Sequence, residues 1–269
     1  MNLTARFYRL TLLTFVSICS GFSSPAQALF DDFDHPELDS SCWGIANTKW
    51  GENSTSVTHG GVIPENVWVE NGLLVIRALG RQYTGPVKGH GINNRIGGAI
   101  FTKKQFASGS YEVKAKICPQ PGALSAFWTF YYESDTFNHE IDFEFPGRNQ
   151  PPRKPGDSDL QWGLVSNWRG VRDSMRQTKD IRFGPQADGK FHLYRFDWYA
   201  GANGETSRIE WYFDNKLMYR SKAHVPSHPS AFWLGIWFPA WIAPARFDMD
   251  YMYIDWVKIT PFNEKVAVR

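Results

Sequence analysis

The residues best suited to chemistry lie in one stretch, Asn138-His139-Glu140-Ile141-Asp142-Phe143-Glu144-Phe145-Pro146-Gly147. Three acids alternate there with three large apolar residues. Read as a β-strand, Glu140, Asp142 and Glu144 share one face, while Ile141, Phe143 and Phe145 turn toward a core. Carboxylates side by side repel, so such a row is mildly unfavourable on a surface strand that has no task. Acid–base chemistry on a sugar wants that same row. Four steps of about 3.3 Å put the Cα atoms of Glu140 and Glu144 roughly 13 Å apart, and side chains leaning inward bring the carboxyls to about 5–7 Å. A retaining glycosidase uses a separation of about 5–5.5 Å and an inverting one a larger gap that admits water. The spacing stands closer to retention and does not by itself exclude inversion. Asp142, between the two, is suited to hydrogen-bond one neighbour and to hold the pair in different protonation states, because close like charges push one pKa up.

Strands must position these acids, and strand signals recur along the chain. Trp128, Phe130, Tyr131 and Tyr132 lie on the preceding segment, which is expected to pair with the acidic strand and line it with aromatic rings. A pyranose presents apolar faces that stack on such rings. Ser110–Ile117 alternates Tyr111, Val113, Ala115 and Ile117 against Glu112, Lys114 and Lys116. Phe191–Tyr199 alternates in the same way. Asn71-Gly72 and Asp214-Asn215 each separate two apolar runs and read as hairpin turns. Tyr251–Thr260 reads as a closing strand. Aromatic residues make up 16% of the chain, beside 23 Gly and 16 Pro, and no long stretch keeps a 3.6-residue period. Many short strands with frequent turns predict an all-β antiparallel sandwich or jelly roll. No internal repeat occurs. The Pro146–Asp159 loop is too short to divide the chain, so residues 29–269 are read as a single domain.

Residues 1–28 carry Arg6 and Arg9, then an apolar run from Leu10 to Cys19, then Ala26-Gln27-Ala28. This is the pattern of a cleaved secretory signal, and the run is shorter than the roughly 20 residues a spanning helix needs. Bulky Ile18 before Cys19 disfavours lipidation there. The expected location is secreted or periplasmic, with no membrane attachment after cleavage. Without Arg6 and Arg9 the 29 basic residues become 27, against 27 acidic ones. A neutral chain is a poor nucleic-acid ligand, since phosphate contacts call for basic excess. An uncharged polysaccharide is an easy partner, and a monomer is expected. Cys42 and Cys118 remain in the mature chain, as one disulfide or as two thiols. The seven His are scattered and neither C-x-x-C nor H-E-x-x-H occurs, so a catalytic zinc site has no support. Asn53-Ser-Thr55 fits a glycosylation acceptor.

His139-Glu-Ile-Asp-Phe-Glu-Phe-Pro-Gly147 resembles the active-site motif of glycoside hydrolase family 16, which includes lichenases, laminarinases and xyloglucan endotransglycosylases. Gly109–Ile117, Phe191–Trp198, Ile209–Asp214 and Asp255–Ile259 are similar, in order, to further strands of that family, so the likeness covers most of the mature chain. It implies a concanavalin-like β-jelly roll with a glycan cleft on the concave sheet, and double displacement with retention. Glu140 would be the nucleophile, Asp142 the assisting acid and Glu144 the general acid/base. No extra residue interrupts Glu-Ile-Asp-Phe-Glu, which is the unbulged form found in lichenases and xyloglucan enzymes. The resemblance also implies substrate contacts at Trp128, Asn167, Trp168, Trp237 and Arg95. Each has a plainer reading: core packing for Trp128 and Trp237, a turn for Asn167, a surface charge for Arg95. No cofactor is required for catalysis. Asp255 aligns with a position that helps bind a structural calcium. Pro146, the basic loop with Arg148, Arg153 and Lys154, and Ile236–Trp241 depart from the lichenase pattern near the cleft, so they leave the glycan open. The expected activity is endo-hydrolysis of a β-1,3-1,4-glucan or related β-glucan. Transfer onto xyloglucan or another cell-wall glycan would use the same intermediate. A non-catalytic carbohydrate-binding jelly roll is the rival from another class, but it would have no use for three acids.

Overall fold

The computed structural model describes residues 28–48, 61–81, 83–85, 95–147, 162–201, 206–239, 241–242 and 244–262. Residues 1–27 of the expected signal segment 1–28, the Asn53-Ser-Thr55 acceptor, Ala240 and residues 148–159 of the basic loop lie outside the described residues.

Alternation of apolar and polar side chains, broken by turn residues, produces fifteen strands among the described residues. They are β1 Leu29–Asp31, β2 Trp43–Ile45, β3 Val67–Glu70, β4 Leu73–Leu79, β5 Gly98–Thr102, β6 Gly109–Lys116, β7 Leu124–Ser134 and β8 Phe137–Phe145, followed by β9 Trp162–Trp168, β10 Arg176–Arg182, β11 His192–Tyr199, β12 Arg208–Phe213, β13 Lys216–Ser221, β14 Ala231–Trp237 and β15 Met249–Pro261. One sheet runs β13-β12-β11-β6-β15-β4-β3 with β1 also on β15, and the other runs β10-β9-β8-β7-β14-β5-β2. The strand pairings within them are antiparallel. Two three-residue 3-10 turns are the helical structure described, and no described helix is long and apolar enough to cross a membrane.

The turns form where their residues tolerate positive φ. Asn71 and Gly72, at 53° and 71°, close β3 on β4, and Asp214 and Asn215, at 46° and 65°, close β12 on β13. Both central residues of each turn are left-handed, as a type I′ hairpin needs. Tyr111, Val113 and Ala115 of β6 and Tyr194, Phe196 and Trp198 of β11 face inward, as their alternation predicts. They meet Phe127, Ile141, Phe143, Phe145 and Phe232 of the other sheet in one core. The two sheets thus make a jelly-roll sandwich whose interior clamps the back of β8. Just past β8, Gly147 has φ 89°, and a Cβ there would stand 2.3 Å from the Gln120 carbonyl oxygen. Only glycine lets the chain turn away so tightly.

Cys42 and Cys118 are both free thiols, the first half-buried and the second buried. Burial pushes the Cys118 thiol well above its ordinary range, which makes it inert.

Candidate active site

β8 lies between β7 and β9, and its register runs unbroken across Glu140–Glu144 on both sides. The E-x-D-x-E strand therefore carries no bulge, and period-two geometry keeps its three acids on the outer face. Their neighbours follow from the pairing. Glu140 stands between Phe130 and Trp168, Asp142 between Trp128 and Ser166, Glu144 between Ala126 and Leu164.

The middle row extends across the whole sheet. Trp128 is opposite Trp233, Trp233 opposite Phe101, and Phe101 opposite Gly44, while Ser166 is opposite Thr178 on the other side. The rings of Trp128 and Trp233 stack with centroids 5.5 Å apart, and those of Trp233 and Phe101 at 4.5 Å. A Cβ on Gly44 would fall 2.3 Å from the Phe101 ring, so glycine makes room for the end of the stack. The face is aromatic on one side of the acids and polar on the other, where the Ser166 hydroxyl donates to Thr178 at 3.2 Å. A recess of about 280 Å³ is lined by Thr48, Trp128, Phe130, Trp233, Trp237 and the three acids. A wider groove of about 1020 Å³ continues over Ser166, Trp168, Arg176 and Thr178 to Tyr132, Val171 and Trp241 at its edge, and the same acids line it. Exposed aromatic groups and convergent carboxyls in one groove suit a chain of sugar rings.

Hydrogen bonds divide the labour among the carboxyls. The Trp168 indole donates to Asp142 Oδ2 at 2.9 Å. The Asn138 amide donates to Glu140 Oε2 at 3.2 Å. Burial pushes the Glu140 carboxyl up to about 7, opposed by its hydrogen bonds to Asn138 and Asp142. Asp142 is pushed strongly upward, by burial first and then by the charges of Glu140 and Glu144. Both carboxyls are thus pushed up, Asp142 the more strongly because it stands between two charged neighbours. From the opposite sheet, fully buried Trp211 donates its indole N–H to the Asp142 carbonyl at 3.0 Å. It ties the centre of the acid row to the core.

Trp128, Trp168 and Trp237 line this cleft with Glu140, Asp142 and Glu144. Asn167 does not. It pairs opposite Ile141, so it shares the inward face; it is 1% exposed, and its amide donates to the Ala223 carbonyl. The expectation of an amide reaching a sugar hydroxyl fails there because the register puts Ser166 and Trp168 outward instead. Arg95 also falls away from the cleft lining; its guanidinium donates to the Ala245 carbonyl at 2.9 Å. Asp255 sits where the β15 register shifts between Ile254 and Trp256. Among the described residues no three His, Cys, Asp or Glu side chains converge to hold a metal. Calcium takes six to eight oxygens, and Asp255 alone does not make that set. The sequence reading missed Asn138, Ser166, Thr178, Arg176 and Trp233. Asn138 has the parity of Glu140 and was open to discovery; the others depend on pairings between distant strands.

A family model described as glycosyl hydrolases family 16 matches residues 66–258. A β-glucanase of Acetivibrio thermocellus is 26% identical over 241 residues, 87% of this chain and 59% of the relative. A β-glucanase of Paenibacillus polymyxa is 29% identical over 175 residues, 62% of this chain and 66% of the relative. The chain thus spans about six tenths of the length of the first of these. Among solved structures, the Bacillus licheniformis β-glucanase superposes with TM-score 0.67 at 21% identity, covering 87% of this chain and 98% of that one. The laminarinase catalytic domain of Thermotoga maritima superposes with TM-score 0.67 at 18% identity, covering 89% and 99%. At those identities the superpositions bear on the fold.

Proposed function

The chain belongs to the glycosyl hydrolases of family 16, and from that premise we propose that it is an exported, retaining, endo-acting β-glucan hydrolase. The observation that carries the reading is the unbulged row of Glu140, Asp142 and Glu144 in the floor of an aromatic groove. In the first step Glu140 attacks the anomeric carbon while Glu144 gives its proton to the departing glycosidic oxygen. The glycosyl–Glu140 ester forms and the leaving chain departs as an alcohol. In the second step Glu144, now a carboxylate, takes a proton from water, and the hydroxide oxygen displaces Glu140. Asp142 stabilises the charge on Glu140 before attack and after release. The recess and the wider groove meet over the three acids, and an extended site on both sides of them favours cleavage within a chain over removal of its end. A β-1,3-1,4-glucan or a related β-glucan is the proposed substrate, in keeping with the β-glucanases the chain resembles. Export rests on the pattern of residues 1–28.

Residues 29–269, wild type beside Glu140→Gln, would be incubated with mixed-linkage β-glucan, laminarin, xyloglucan, chitin and galactan. Oligosaccharides from wild type alone, on a β-glucan, are the expected result. Products longer than added acceptor oligomers would replace hydrolysis by transfer. No product from any polymer, or full activity in Glu140→Gln, would overturn the proposal.

A further inference from the structure

We infer that Asn138 is a positioning residue that holds Glu140 in its charged, nucleophilic form. The inference rests on Glu140 as nucleophile. Two indole or amide donors reach the pair from its two ends. Trp168 donates to Asp142 at 2.9 Å and favours charge there; Asn138 donates to Glu140 at 3.2 Å and favours charge on the nucleophile. Of the two donors, Asn138 is the one that reaches Glu140 itself, and its bond favours the ionised form of that carboxyl. With Asn138 removed, Glu140 loses a bond that favours its charged form, so its carboxyl keeps a proton to higher pH and cannot attack while it holds it.

A second observation shows that Asn138 is oriented by Glu140. The side chain is 2% exposed, and its buried Oδ1 has no hydrogen-bond partner among the described residues. An orphaned amide oxygen costs stability, and an apolar residue of similar volume would avoid that cost. The bond to Glu140 is the amide's compensating role. Other groups around Glu140 do not substitute for it. On β7 the facing residue is Phe130, and on β9 it is Trp168. Asp142 and Glu144 share its strand. Arg176 lies beyond Trp168, stacked on that ring at 4.5 Å and ion-paired with Asp173. The Tyr132 hydroxyl is turned to Asp135. His139, one residue away on β8, has the opposite parity and is buried behind the sheet; burial and the nearby Arg169 charge push it down to about 4, so it is neutral where the enzyme would work.

The test is the pH profile of kcat/KM on a soluble β-glucan for wild type and Asn138→Leu, which removes the donor at similar volume. The acid limb of the variant is expected to move up by about one pH unit. Relative to wild type, kcat/KM then falls about tenfold at pH 6 and stays within about twofold at pH 9. A merely structural loss would lower activity equally at every pH. Asn138→Ala serves if the leucine variant folds poorly. An unmoved acid limb in either folded variant would overturn the inference while Glu140→Gln remains inactive. Activity retained in Glu140→Gln would instead remove the nucleophile assignment beneath it.

Discussion

Replacing Glu140 with glutamine should make the protein more stable at alkaline pH while destroying its activity. Burial raises the folded-state pKa of Glu140 from 4.5 to about 7. Below pH 4.5 the folded and unfolded chains both carry the proton, and the group adds nothing to pH dependence. Between 4.5 and 7 the folded chain holds a proton that the unfolded chain has lost, so stability falls as pH rises. Above 7 the folded chain ionises too, and the full cost of a half-buried, desolvated carboxylate is in place. At about 1.36 kcal/mol per pH unit that cost is about 3 kcal/mol. The amide that replaces the carboxyl does not titrate and escapes it. The variant should match wild type near pH 4.5 and exceed it by about 3 kcal/mol at pH 8, or about 6–12 °C in Tm for a domain of this size. Thermal or urea unfolding of both proteins at pH 4.5, 6, 7 and 8 measures the divergence. In the same preparations the variant should lose about four orders of magnitude in kcat. Parallel stability curves at all four pH values would refute a half-buried nucleophile that ionises only near neutral pH.

Three further outcomes follow from named contacts. Trp211→Phe removes the indole bond to the Asp142 carbonyl and should cost about 1–2 kcal/mol by denaturant unfolding, with kcat lowered more than KM is raised. Trp237→Ala removes a ring that lines both parts of the groove and should lower kcat/KM on polymer about tenfold, seen in initial rates. Thiol titration of denatured residues 29–269 should count two free thiols without reductant, and reductant should leave Tm unchanged, because Cys42 and Cys118 are unpaired.

Local features of the fold were legible in the sequence because their causes are local. Asn71-Gly72 and Asp214-Asn215 tolerate positive φ and so mark their hairpins. Alternation in Tyr111–Ala115 and in Glu140–Glu144 assigns faces without any knowledge of neighbours. The site's wider shape comes from pairings across long stretches of chain. Trp233 joins the aromatic row only because β14 pairs β7, some hundred residues earlier in the chain. Asn167 and Trp168 differ by one position, and the register alone decides that Trp168 faces the cleft and Asn167 the core. A slip of one residue would exchange them. Arg95 was placed by likeness of a short motif, which carries no register. Asn138 shows the reverse case: its parity with Glu140 was readable, but the direction of its amide required coordinates.

The anomeric configuration of the first product tests the double displacement most directly. Proton NMR of a soluble β-glucan oligomer would follow the new reducing end during the first minutes, before mutarotation. Two displacements at Glu140 predict that the β-anomer appears first and the α-anomer grows in later. An initial α-anomer would mean a single displacement by water and would contradict the nucleophilic role of Glu140.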